Sequence, residues 1–278
     1  MLRRIADELS RASGEGLGPD EPTALWAAIS GMKPAEVWLK RESEPAADVV
    51  KRFWKAVEQR KQGMPFAYVV GRTGFRTLEL AIDPRALIPR PETEGLVDLV
   101  LQRVRGGLAA DIGTGSGCIA LALAVEGEFE KIVAVERSPA AAALARENVE
   151  RVAPRTPVEI REGNLLGPLV DKGEREVYRV IVANPPYLTE REFLELDPSV
   201  REFEPRQALI SGISGLDATR GLFAGAGILL EPAGLLALEI DERRADAVRA
   251  LGRDYGWDVA IHNDVFGCPR YALSIKEA

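Results

Sequence analysis

Two short stretches carry the groups that can do chemistry. In the first, the apolar run Leu108–Ile112 ends in Asp111-Ile112-Gly113-Thr114-Gly115-Ser116-Gly117 and leads straight into a helical pattern. Glycines at alternate positions let the backbone turn sharply and let a ligand lie against bare peptide. Nineteen residues after Gly117, Glu136 closes the next apolar run, where a carboxylate can accept hydrogen bonds from both hydroxyls of a ribose. A tight strand-to-helix turn would explain the glycines alone; strand, loop, helix, strand and acid in register favour a nucleoside site.

The spacing narrows the nucleoside. A dinucleotide fingerprint wants Gly-x-Gly-x-x-Gly, but the third glycine comes one residue early and Cys118 stands in its place. No Gly-x-x-x-x-Gly-Lys-Ser/Thr cradle for a triphosphate is present either. S-adenosylmethionine, an adenosine without phosphate, fits what remains.

The second stretch is Val180-Ile181-Val182-Ala183-Asn184-Pro185-Pro186-Tyr187. An apolar strand delivers Asn184 to its carboxyl end, the edge of an α/β sheet where ligands bind. Two prolines donate no N–H and restrict φ, so the Asn184 amide and the Pro185 carbonyl are held as fixed acceptors. Such a pair suits a planar NH2 group whose lone pair is delocalised, because gripping both hydrogens orients the nitrogen and helps return density to it. Tyr187 is placed to stack on a flat acceptor. Asn-Pro is also a common turn dipeptide; following a glycine loop and a ribose acid, the catalytic reading is preferred.

The elements that must position these groups alternate. Strands are expected at Leu108–Ile112, Ile132–Val135, Val158–Ile160, Val180–Ala183, Leu235–Ile240, Trp257–Ile261 and Tyr271–Ile275. Helices are expected at Pro91–Val104, Cys118–Val125, Pro139–Arg151, Gly215–Leu230 and Arg243–Leu251. This is a doubly wound α/β sheet, mostly parallel, with an antiparallel edge where the last two strands adjoin. Residues 1–64 read as a small helical domain built on Leu2–Leu9, Asp20–Ile29 and Pro45–Gln62, with Gly31 and Pro34 as breakers and most of Trp26, Trp38 and Trp54 in its core. Alternation over Phe75–Asp83 reads as one strand of a hairpin, which makes residues 65–90 a β-hairpin linker and residues 91–278 the α/β domain.

Composition sets the outer bounds. The 278 residues carry 36 Lys+Arg against 43 Asp+Glu, a net charge of −7, with 46% hydrophobic residues. The acidic balance speaks against stable nucleic-acid binding, which draws on many cationic contacts to phosphate. The uncharged run Ile112–Val125 is shorter than the ~18 residues of a membrane span, and the charged N-terminus does not resemble a secretory signal, so a cytoplasmic protein is expected. Cys118, Cys268 and the single His262 supply neither a disulfide framework nor a zinc site, and His262 is read as a strand-end residue, not a base.

The α/β region resembles the class I S-adenosylmethionine-dependent methyltransferases, with their Rossmann-like sheet, and Asn184 to Tyr187 is similar to their amino-methyltransferase motif. Ile88-Pro89-Arg90-Pro91-Glu92-Thr93-Glu94, Asp111 to Gly117 and Phe203-Glu204-Pro205 narrow the resemblance to the HemK/PrmC family of protein-(glutamine N5) methyltransferases of peptide chain release factors, over nearly the whole chain. The resemblance implies methylation of the glutamine in a Gly-Gly-Gln tripeptide, with the N-terminal helical domain gripping the release factor. It implies that Gly113, Thr114, Gly115, Ser116, Gly117 and Glu136 hold the cofactor and that Asn164 and Leu165 border its adenine. Asn184, Pro185, Pro186 and Tyr187 would hold the glutamine amide, with Asn184 also bordering the cofactor. The family usually has Asp in place of Glu136 and in place of Asn164. The stretches Leu238–Glu242 and Cys268–Tyr271 also depart from the family pattern, and neither is expected to touch the chemistry. Glutamine methylation of a ribosomal protein is a close variant; adenine N6 methylation of DNA or RNA, and a non-catalytic adaptor, are the alternatives from other classes.

Overall fold

Residues 4–277 are described by the computed structural model. They fall into two units, one of residues 4–72 with 198–203, the other of residues 73–197 with 204–277. The first unit holds helices α1 (Ile5–Ser13), α2 (Glu21–Ser30), α3 (Pro34–Leu39), α4 (Ala47–Lys61) and α5 (Phe66–Val70); Leu2, read above as part of the first helix, lies outside the described residues. Its core gathers Ile5, Leu25, Trp26, Val37, Phe53 and Val57, with the Trp26 and Phe53 rings edge to face at 4.9 Å. Burying each large apolar side chain contributes about 1.5–3 kcal/mol.

Three readings of this unit change. Pro34 begins α3 instead of breaking the chain, because a proline in the first turn removes an N–H that would have no partner anyway. Trp38 is 62% exposed, with the Arg41 guanidinium over its ring: on so short a helix Val37 takes the inward direction, and its neighbour must point elsewhere. Residues 66–70, expected within a hairpin linker, form α5.

The hairpin itself is β1 (Arg72–Phe75) with β2 (Leu78–Ala81). Its turn interrupts the single strand expected over Phe75–Asp83. Arg76 takes φ of 52° without the usual Asn or Gly, held by a backbone bond to Glu94 (2.8 Å) and a guanidinium pair with Glu126 (2.7 Å).

The sheet runs through β3 (Leu108–Ile112), β4 (Lys131–Glu136), β5 (Val158–Glu162), β6 (Tyr178–Ala183), β7 (Leu230–Glu239), β8 (Ala260–Asn263) and β9 (Pro269–Ile275). Their spatial order is β5-β4-β3-β6-β7-β9-β8, parallel as far as β7, with β9 antiparallel to both neighbours. The strand expected at Trp257 starts only at Ala260, since Trp257 is committed to a buried indole N–H bond with the Phe223 carbonyl (2.8 Å).

Helices α6 (Pro91–Arg103), α7 (Cys118–Glu126) and α8 (Pro139–Val152) cover the strands on one side. Helices Asp217–Leu229 and Ala245–Asp254 supply Leu222, Phe223, Ala226, Val248 and Leu251 to a second core on the other. Covered on both faces, the central strands read as continuous apolar runs. After β3 the chain builds outward through β4 and β5 and then returns to lay β6 on the other side of β3. This reversal opens a crevice at the carboxyl ends of β3 and β6, where the two chemical stretches end.

Candidate active site

The glycine loop leaves β3 under tight control. Gly113, Gly115 and Gly117 have φ of 76°, 58° and 85°, a region where side chains are strained. The Gly113 and Thr114 N–H groups donate to the Val135 carbonyl (2.8 and 3.1 Å), and Gly117 N–H to Thr114 (2.8 Å). Asp111, fully buried, holds the loop from beneath. Its Oδ2 accepts the Thr114 hydroxyl (2.5 Å) and the N–H of Ala120 (3.0 Å), in the first turn of α7. Burial pushes its carboxyl up to about 7, against the lowering effect of those two bonds.

The sign of that shift sets a pH dependence. Between its unfolded value near 3.8 and about 7 the folded protein keeps a proton that the unfolded chain has released, so this group's contribution to stability falls as pH rises through that window. From pH 5 to pH 8, wild type is expected to lose more thermal stability than Asp111→Asn, by on the order of a few kcal/mol. Parallel melting curves for the two proteins test this; equal losses refute it.

Glu136 ends β4 beside the loop. One carboxylate oxygen accepts the Gly115 N–H (2.9 Å) and the other the Ser138 N–H (2.8 Å) at the start of α8. A carboxylate has about four acceptor positions, so one per oxygen remains. Glu136, Gly113, Thr114, Gly115, Ser116, Asn164, Leu165, Asn184 and Pro186 all line one cleft of ≈ 370 Å³, within the usual range for a small-molecule site. Gly117 does not line it; it is the N-cap of α7 and packs against Leu121 and Ala145.

Beyond β6, Asn184 is half-buried in the cleft wall and Pro185 is buried. The Tyr187 and Leu188 N–H groups both donate to the Leu209 carbonyl (3.2 and 2.8 Å), which pins the segment after the prolines. Tyr187, expected to stack on a flat acceptor, does not line the main cleft; it lines a smaller cavity with Arg90, Glu92, Glu239 and Arg270, and burial raises its phenol to about 12.

Asn184 has partners that sequence reasoning missed. Its Nδ2 donates to Thr93 Oγ1 (3.1 Å), and the Thr93 hydroxyl donates to Glu239 Oε2 (2.7 Å). Glu239 is 2% exposed, and burial lifts its carboxyl to about 7. Leu238–Glu242 was expected to stand apart from the chemistry, and the structure corrects this. The parallel register pairs Ala183 with Leu238, so the next residues, Asn184 and Glu239, stand side by side at the carboxyl edge of the sheet. The available signal was an acid closing an apolar strand, the feature that singled out Glu136.

Two quoted stretches also meet: Glu204, buried, accepts the Ile88 N–H (3.2 Å) and pairs with the Arg90 guanidinium (2.6 Å), fixing a wall of the cleft. His262 lies in β8 opposite Tyr271 and does not line the cleft. Cys118 does, but burial raises its thiol to about 12, leaving it a poor nucleophile.

Comparison with known proteins bears on this geometry. Residues 1–71 match the PrmC N-terminal domain and residues 92–196 the methyltransferase small domain. The release factor glutamine methyltransferase of Deinococcus radiodurans is 35% identical over 276 residues, 98% of this chain and 95% of the relative. The chain belongs to the release factor glutamine methyltransferase family. Its relative from Xylella fastidiosa, of the same name, is 44% identical over 74% of each chain. A crystal structure of a methyltransferase from Pyrococcus furiosus superposes with a TM-score of 0.54 at 22% identity, covering 72% of this chain and 90% of that one, a likeness of fold. Thr93, Glu136 and Asn184 lie inside the matched methyltransferase domain; Glu239 lies beyond it. Among the described residues no helix is long and apolar enough to cross a membrane.

Proposed function

We propose that this family member transfers a methyl group from S-adenosylmethionine to the side-chain amide nitrogen of the glutamine in the Gly-Gly-Gln tripeptide of a peptide chain release factor. The observation that carries the reading is the orientation of Asn184: with its NH2 end committed to Thr93, its carbonyl oxygen is left as an acceptor at the cleft. An acceptor at that place selects a donor such as an amide NH2. The names of relatives aligned over nearly the full chain support the protein substrate.

The residues present fit the cofactor. A Cβ on Gly113 would meet nothing within 4 Å and one on Gly115 only the Gly113 carbonyl at 4.0 Å, so the loop offers bare peptide to a ligand. Glu136 keeps two acceptor positions for ribose hydroxyls, and Ile119, Ala141 and Leu165 give apolar wall for a flat base. When bound, S-adenosylmethionine supplies a methyl group activated on a sulfonium, which is released as a thioether.

The protein's own residues then have a positioning task. The Asn184 Oδ1 and the Pro185 carbonyl accept the two N–H bonds of the acceptor amide, align its nitrogen and lend it electron density. The new bond is N–C, and the displaced N–H proton passes to solvent. No strong base is called on, in keeping with a cleft whose thiol stays protonated.

The test is transfer of an isotopically labelled methyl group by purified protein to three separate acceptors, a recombinant release factor, ribosomal protein and nucleic acid, with the product mapped by mass spectrometry. Label is expected on the glutamine of Gly-Gly-Gln. Label only on a ribosomal protein would keep the chemistry and change the partner; label only on adenine would overturn both.

A further inference from the structure

We propose that Thr93 and Glu239 are positioning residues that fix which end of the Asn184 amide faces the acceptor. The inference rests on the reading above in taking the acceptor to be a glutamine amide. An asparagine side chain is nearly symmetric in shape, yet its two ends are opposite in hydrogen-bond sense. With Oδ1 toward the cleft it accepts from a substrate NH2; turned by 180° it presents its own NH2, and donor meets donor. Something must break the symmetry.

A threonine hydroxyl has one hydrogen. Thr93 directs it to Glu239 Oε2 at 2.7 Å, in a fully buried contact. Its oxygen is then only an acceptor toward Asn184, and the atom that meets it at 3.1 Å is Nδ2. The order Glu239 acceptor, Thr93 donor and acceptor, Asn184 donor therefore runs one way only. Above pH 7, where the raised Glu239 carboxyl has lost its proton, it can only accept and so sets the direction; a second hydroxyl in that place would allow the chain to reverse.

The scaffold holds Thr93 for this task. It is in the first turn of α6, whose start is fixed by the Tyr271 hydroxyl donating to the Glu92 carbonyl (2.6 Å). Tyr271 reaches that carbonyl because Gly95 has no side chain, since a Cβ there would lie 2.3 Å from the phenol oxygen. Tyr271 is also paired with Glu239 across β7 and β9. Thr93 and Glu239 are thus both anchored to one residue.

Three variants separate this role from a structural one. Thr93→Val keeps shape and removes the hydroxyl; Thr93→Ser restores the hydroxyl and loses a methyl; Glu239→Met fills the site and removes the acceptor. Against a recombinant release factor, Thr93→Val is expected to lose about 10²-fold in kcat at saturating cofactor, Thr93→Ser to recover to within a few-fold of wild type, and Glu239→Met to lose about 10-fold. The dissociation constant for S-adenosylmethionine, measured by titration calorimetry, should stay within about three-fold throughout.

A second readout needs no substrate. In the 1H–15N spectrum the Asn184 side-chain NH2 pair, assigned by its loss in Asn184→Ala, should exchange slowly with water in wild type and in Thr93→Ser. It should exchange faster in Thr93→Val and split into two populations in Glu239→Met. Wild-type kcat in Thr93→Val, or an unchanged Asn184 pair in that variant, overturns the inference. If wild type labels no glutamine while the Asn184 pair responds as described, the substrate reading fails and the positioning chain stands.

Discussion

Asn184→Ala is expected to lower kcat for methylation of a release-factor glutamine by 10²–10³-fold while the dissociation constant for S-adenosylmethionine changes by no more than a few-fold. The size follows from what is removed: one preorganised acceptor aimed at the group whose charge changes in the transition state, a loss worth about 2.7–4 kcal/mol in comparable sites. The selectivity follows from where Asn184 sits. It leaves β6 at the crevice with its NH2 turned toward Thr93, whereas the cofactor wall is built on the far side of β3 from the glycine loop and Glu136. Truncation deprives Thr93 of a donor it can do without, as its own hydrogen remains on Glu239. Single-turnover transfer with saturating cofactor, beside calorimetric binding, reads both numbers. Near wild-type transfer would falsify the mechanism, and a parallel collapse of cofactor binding would move Asn184 from acceptor positioning to cofactor retention.

Much of this site was legible in the sequence because its parts are local. A glycine loop and a strand-ending Glu136 are separated by one helix, so their spacing encodes their meeting. Asn184 to Tyr187 is contiguous, and a strand of apolar residues fixes the edge at which it emerges. What could not be read depends on strand order. Glu239 lies 55 residues beyond Asn184 and Thr93 lies 91 before it, and nothing local tells that β7 is laid beside β6 or that α6 begins across from both. The turn at Arg76 escaped for a related reason. Its left-handed φ is stabilised by Glu94 and Glu126, distant along the chain, instead of by a glycine in the turn. In the helical unit, Trp38 shows the limit of residue type as a guide. A tryptophan predicts a core anchor, but with only Val37 buried on α3 there is one inward position and it is taken. Periodic elements and contiguous motifs carry their own registration; contacts between distant elements borrow theirs from the topology.

Glu136→Ala is expected to give the opposite signature to Asn184→Ala: cofactor affinity falls by 10²–10⁴-fold, with kcat at saturating cofactor lowered far less. Two separate losses combine. Two hydrogen bonds from ribose hydroxyls to a charged acceptor are worth about 1.5–3 kcal/mol each. Glu136 also ties the Gly115 N–H to the Ser138 N–H, so its carboxylate joins the loop after β3 to the first turn of α8. Without it those two donors face the cleft unpaired and the loop loses its brace, although the Gly113 and Thr114 bonds to Val135 keep the turn itself closed. Glu136→Gln separates the parts. A glutamine offers one carbonyl oxygen in place of two carboxylate oxygens, so it can satisfy Gly115 or Ser138 but not both, and its NH2 opposes the other donor. Its affinity should therefore lie near that of Glu136→Ala, although the side chain is almost the same size. Glu136→Asp keeps the charge and shortens the reach; it should retain ribose binding to within about ten-fold while giving up the bond to Gly115. If calorimetry found the glutamine variant close to wild type, shape and not the doubled acceptor would be what Glu136 contributes, and the cofactor would have to be held mainly by the peptide of the glycine loop.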